Sequence, residues 1–186
     1  MLKKLLAACL VGHAALAVAD SEQLIGESRQ MIKAYAERLQ MELQLSLKEE
    51  GALAAIEHCH GVAPDIDREL DHDPDWGIGR TALRIRNPQN RPDDWERSVL
   101  QQFQRRQQQG EAITDLEYAQ IVERNGQRYF RYMKAIPTQA LCLTCHGEQL
   151  NEQLTDKIER LYPQDRATGF AIGDIRGAFT ISRRLD

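Results

Sequence analysis

Aromatic residues are scarce in this chain, at 6% of 186 residues, while charged residues reach 28%. That balance fits an ordinary soluble domain with helical content. Positive charge is also in the minority: 24 Lys and Arg face 28 Asp and Glu. The basic footprint of a nucleic-acid-binding protein is therefore missing. After residue 19 no apolar run reaches the roughly 20 residues that a membrane-spanning helix requires. There is no internal repeat, low-complexity tract or sign of a second domain, and the length suits one compact domain with a sizeable core.

Cysteine is nearly absent too, with four in the chain: Cys9, Cys59, Cys142 and Cys145. The first belongs to a leader. Lys3 and Lys4 precede an apolar stretch from Leu5 to Val18, and Ala17-Val18-Ala19 is a small-x-small site before Asp20. These features predict a secretory signal peptide at 1–19, cleaved after Ala19, and a single domain at 20–186 exported to the periplasm or another non-cytoplasmic compartment. Removing the leader takes one cysteine with it and leaves Cys59, Cys142 and Cys145. An odd number of cysteines cannot all pair within one chain, so an oxidising compartment demands another use for them.

The stretch "LCLTCHGEQL", Leu141 to Leu150, supplies that use. In Cys142-x-x-Cys145-His146 the two thiols are spaced to add to the two vinyl groups of one haem, and the histidine then lies under the iron. A thioredoxin-type redox pair would need a preceding βαβ pattern, which is not seen. A structural zinc site would need four ligands, and there is no second Cys-x-x-Cys. The motif thus predicts one covalent haem c, attached through Cys142 and Cys145 and ligated by His146.

The rest of the chain reads as α+β. Leu24, Met31, Tyr35, Leu39 and Leu43 recur at helical spacing and predict a long helix from Ser21 to about Glu50, interrupted near Gly51. A second helix carries Leu53, Ile56 and Cys59 on one face and ends at Gly61 and Pro64, and the acidic segment Asp65–Asp75 is largely irregular. Thr81, Leu83 and Ile85 alternate with Ala82, Arg84 and Arg86, which predicts a strand. A helix follows from Asp93 to Gly110, with Trp95, Val99 and Phe103 four apart. "LEYAQIVE" and "QRYFRYMKAI" flank Asn125-Gly126, a hairpin signal. A helix over Glu152–Leu161, a bent loop after Pro163 and a closing strand "GAFTISRR" complete the chain.

The other side of the iron is open on chemistry alone. Met31, Met41, Met133, His58, His60, His72 and Cys59 are all candidates. Methionines on apolar faces usually fill core gaps, and His72 sits in an acidic stretch. Cys59 is the one cysteine the motif leaves over, although a free cysteine is often just a small buried hydrophobe.

Several phrases carry a resemblance: "RTALRIRNPQNRPDDWE", "RYMKAI", "CLTCHG", "YPQDRATGFAIGDIRGAFTIS" and "HCHGVAP". From about Met31 to Ser182 the chain resembles a family of exported single-haem c-type domains, the Tll type, long catalogued as a domain of unknown function. The resemblance implies a PAS-like antiparallel sheet with long N-terminal helices. It also implies a cysteine as second axial ligand from the helical part, at the position of Cys59, with His58 and His60 as its neighbours and alternatives. Arg80, Arg84 and Arg86 are candidate partners for haem propionates.

The predicted function is a redox- or small-ligand-responsive haem sensor module, with a periplasmic electron-transfer cytochrome as the alternative. A sensor of this size requires a signalling partner, and a carrier requires a redox partner. No catalytic constellation is recognisable, so no catalytic residue is assigned. A homodimer through the long N-terminal helix is a further expectation.

Overall fold

The computed structural model describes the backbone of residues 6–70 and 75–186 and the side chains of residues 21–62 and 75–186. The expected leader at 1–19 lies outside the residues whose side chains are described, and His72 lies outside the described residues altogether. Helix α1 spans Leu6–Glu49 and helix α2 spans Ala52–Leu70. Gly51 separates them at φ +80, a left-handed value that penalises any Cβ, and α2 packs along α1.

Here the sequence reading needs correction. Gly61 and Pro64 do not end α2, which continues to Leu70 and takes up much of the acidic segment. A proline ring holds φ near the helical value and removes one backbone donor, so a helix can pass through it at the loss of one bond. Nor does Leu53 share the buried face: it is 41% exposed while Ile56 is 6%.

Strands β1 (Trp76–Thr81), β2 (Glu117–Arg124), β3 (Gln127–Pro137) and β4 (Ile175–Arg184) form one antiparallel sheet in the order β1-β4-β3-β2. The β2–β3 hairpin closes as expected. Arg124 pairs with Gln127, and Asn125 (φ 55) and Gly126 (φ 75) supply the two positive values that a two-residue hairpin turn needs. The first strand sits earlier than predicted. Its pairing with β4 stops at Thr81, because the next backbone groups bond elsewhere. Ala82 N donates to the Asn90 carbonyl, and the Ile85 carbonyl accepts from Arg166 N. Ile85 and Arg86 are both buried, so the period-two alternation fails there.

Helix α3 (Asp94–Gln108) connects β1 to β2. Asp93 and Glu96 form a reciprocal capping box at its start. The second Glu96 oxygen accepts from Thr180 and Arg131, which ties α3 to β4 and β3. Val99, Leu100 and Phe103 pack with Leu116, Met133, Ala135 and Ala178 on one face of the sheet. Across it, Ile32 and Tyr35 of α1 pack with Trp76, Phe130, Tyr132, Phe179 and Ile181. Adjacent β3 residues Tyr132 and Met133 thus enter different cores, as strand alternation dictates. The one-turn helix α4 (Leu143–His146) and helix α5 (Glu152–Leu161) follow. Helix α5 places Leu154 and Ile158 against Ile56 of α2. The architecture is α+β: a PAS-like antiparallel sheet with long N-terminal helices.

Candidate functional site

Cys142 precedes α4, and Cys145 and His146 lie within it. Gly147 N donates to the Leu143 carbonyl at 3.0 Å and closes the turn. A Cβ on Gly147 would stand 2.7 Å from that same carbonyl oxygen, so the space admits glycine alone. The loop after α5 then returns along the turn. Phe170 N donates to the His146 carbonyl and Gly169 N to the Gly147 carbonyl, both at 2.9 Å.

The same loop sets the imidazole. His146 Nδ1 lies 2.6 Å from the Ala167 carbonyl. A carbonyl only accepts, so Nδ1 carries the hydrogen and Nε2 keeps its lone pair. Burial and the nearby guanidiniums of Arg176 and Arg86 hold His146 well below its ordinary value, which keeps the ring neutral. Phe170 meets the ring edge-on, with centroids 6.3 Å apart.

The arginines divide into two kinds. Arg86 is engaged through one edge: Nε donates to Asp165 Oδ1 and Nη2 to Asp165 Oδ2, both at 3.1 Å. Nη2 also reaches the Cys145 carbonyl at 2.7 Å. The pair is 7% and 8% exposed. Leaving either partner alone in such a place costs on the order of 3–5 kcal/mol. Arg84 is likewise occupied, by the Arg166 and Gly169 carbonyls and the face of Phe170 at 4.1 Å. The other kind is Arg80 and Arg176, which pair with no carboxylate among the described residues, although Arg176 Nη1 donates to the Arg84 carbonyl at 3.3 Å. Arg80 Nε is buried with no hydrogen-bond partner among the described residues. Arg176 is the residue skipped in the β3–β4 register, where Ile136 pairs with Gly177 and Pro137 with Ile175. A bulge re-aims the side chain it carries, and Arg176 lies 5.3 Å from the Phe170 ring. Burial, with Arg86 and Arg80 nearby, pushes its guanidinium down to about 10.

On α2, Cys59 is half-buried. Burial raises its thiol, the Cys145 thiol adds to the rise, and Arg80 opposes it. Cys145 packs against the cluster of Ile56, Leu154 and Ile158, beside α2. The neighbouring histidines have other partners. His58 Nε2 pairs with Glu42 of α1 at 3.1 Å, and His60 lies against Tyr162 with ring centroids 5.0 Å apart. Met133 is fully buried in the α3 core, Met41 is 45% exposed, and Met31 packs on the α1 core.

A family model described as Tll0287-like matches residues 13–183. The chain belongs to the Tll0287-like family. Among solved structures, it is similar to that of "the cyanobacterial heme-protein Tll0287", with TM-score 0.60 and 25% identity, covering 86% of this chain and 96% of that one. No curated protein matches. In this Tll0287-like chain, sequence reasoning singled out Cys59, Cys142, Cys145 and His146 but missed Asp165, Ala167 and Arg176. Asp165 and Arg176 stand in the phrases "YPQDRATG" and "GDIRG", yet nothing local in them points to an imidazole.

Proposed function

We propose that this chain binds one haem covalently through Cys142 and Cys145, with His146 on one side of the iron and Cys59 on the other. The observation that carries this reading is a His146 whose Nδ1 is tied to a carbonyl and whose Nε2 is left as a ligand, on a motif whose Cys145 packs against Ile56 of α2, the helix that carries Cys59. The residues present fit the group. Arg80 has an orphaned buried Nε, and Arg176 adds a half-buried cation beside the motif; both suit propionate carboxylates. Structural likeness to a haem protein supports the same reading.

Haem, when bound, supplies an iron that changes oxidation state. A thiolate ligand favours the ferric form and lowers the potential. A His/Cys ligand pair is therefore sensitive to oxidation state, which suits a redox- or small-ligand sensor better than a carrier that must keep its coordination. The signal-peptide features of residues 1–19 support a location outside the cytoplasm, where a sensor of this kind requires a signalling partner to receive its output.

The test is electron paramagnetic resonance of the ferric protein beside Cys59→Ala, with optical spectra of both oxidation states. Loss of the low-spin thiolate signal in the variant is expected. A spectrum unchanged by the mutation would refute Cys59 ligation. Identical coordination in ferric and ferrous protein would replace the sensor with an electron carrier.

A further inference from the structure

Arg86 and Asp165 form a buried ion pair that does more than fill space. Three backbone segments meet on it. The first is the segment leaving β1, which carries Arg86 itself. The second is the α4 turn, held through the Cys145 carbonyl at 2.7 Å. The third is the loop after α5. Asp165 stands in it, its Oδ1 accepts Ala167 N at 3.0 Å, and Arg86 Nη2 lies 3.4 Å from the Ala167 carbonyl. That carbonyl is also the acceptor of His146 Nδ1.

We propose that Arg86 and Asp165 are positioning residues that fix the orientation and tautomer of His146 by placing the Ala167 carbonyl against Nδ1 and the Cys145 carbonyl at a set distance from it. The inference deepens the haem reading and rests on it for its consequence, though not for its geometry. The Nε–Nη2 edge of Arg86 is committed to Asp165 and two carbonyls, which leaves only its Nη1 for a propionate. The planar fork is essential. A guanidinium makes two parallel bonds to the carboxylate while a remaining N–H reaches a carbonyl. A lysine ammonium is a point charge that cannot reproduce both directions.

The experiment uses three variants, Arg86→Lys, Arg86→Gln and Asp165→Asn, in the full chain with and without haem. In the haem-free chain, nitrogen NMR of His146 reads the tautomer, and hydrogen exchange reads the Gly169 and Phe170 amides. The unmodified chain is expected to show a single Nδ1–H tautomer. Each variant is expected to show a mixture, with those two amides exchanging at least tenfold faster and the β3–β4 amides unchanged. Arg86→Lys is expected not to rescue. In the loaded chain the ferric resonance should shift in all three while Cys59 is intact. A single tautomer and unchanged exchange in Arg86→Lys and Asp165→Asn overturn the proposal, as does equal acceleration of all sheet amides, which marks a merely structural pair. Failure of the haem reading is separate: it appears as an unmodified chain that carries no haem after denaturation, and leaves the haem-free measurements decisive.

Discussion

Glu117 at the start of β2 is where α1 is fastened to the sheet, and its charge makes a quantitative prediction. Arg29 of α1 forms a two-pronged ion pair with it. Tyr132 Oη donates to its Oε2 at 2.7 Å, and Lys134 Nζ lies 3.4 Å away. The Arg29 hydrogen bond leads in lowering the carboxyl from 4.5 to about 2. That fall corresponds to at most about 3.4 kcal/mol, at about 1.4 kcal/mol per pH unit. Arg29 is 51% exposed, so solvent screening reduces the realistic figure to about 1–2 kcal/mol. A depressed native value means that the unfolded chain binds the proton first. The stabilisation is thus fully present above about 4.5 and is lost as pH falls toward about 2. Glu117→Gln removes the charge and keeps an acceptor for Tyr132. Urea unfolding should show a penalty of about 1–2 kcal/mol at pH 7, shrinking to less than half of that at pH 3. An equal penalty at both pH values, or none at pH 7, refutes the electrostatic account of how α1 is held.

Two further outcomes bear on the site and on the core. Gly147→Ala should distort the α4 turn, because its Cβ would meet the Leu143 carbonyl at 2.7 Å; a loss of about 1–3 kcal/mol is expected by urea unfolding, together with reduced covalent haem on denaturing gels. Phe103→Ala empties a fully buried position in the α3 core, at a cost of about 3–5 kcal/mol by urea unfolding.

Local signals in the sequence survived into the structure, and distant ones did not. Asn125-Gly126 could be read because a two-residue turn needs two positive φ values and those residues tolerate them. Helix α5 matches its predicted bounds, Glu152–Leu161. The alternation at 81–86 misled for a physical reason: a strand ends where its backbone bonds leave the sheet, and the Ala82 and Ile85 groups bond to Asn90 and Arg166 instead. Pro64 misled because one missing donor does not outweigh a helix already formed around it. The role of Arg86 was illegible for the simplest reason, since its carboxylate partner is 79 residues away and no pattern in either neighbourhood names the other.

The choice among His58, Cys59 and His60 shows what the fold adds to a motif. On a helix, successive side chains turn by about 100°, so three consecutive residues cannot face one iron. His58 is turned to Glu42 on α1, and His60 to Tyr162 at the end of α5. These directions are about 200° apart, and Cys59 occupies the sector between them. Ile56, the α2 residue in the cluster with Cys145, lies about 60° around the helix from Cys59 and about 40° from His60. To bring His58 into the place of Cys59, α2 would have to rotate by about 100°. That rotation would break the Glu42 pair or the Tyr162 contact and draw Ile56, 6% exposed, out of its cluster with Leu154 and Ile158. Counting cysteines identifies the leftover thiol; the packing of α2 between α1 and α5 turns His58 to a partner on α1 and leaves Cys59 and His60 beside the cluster that holds Cys145.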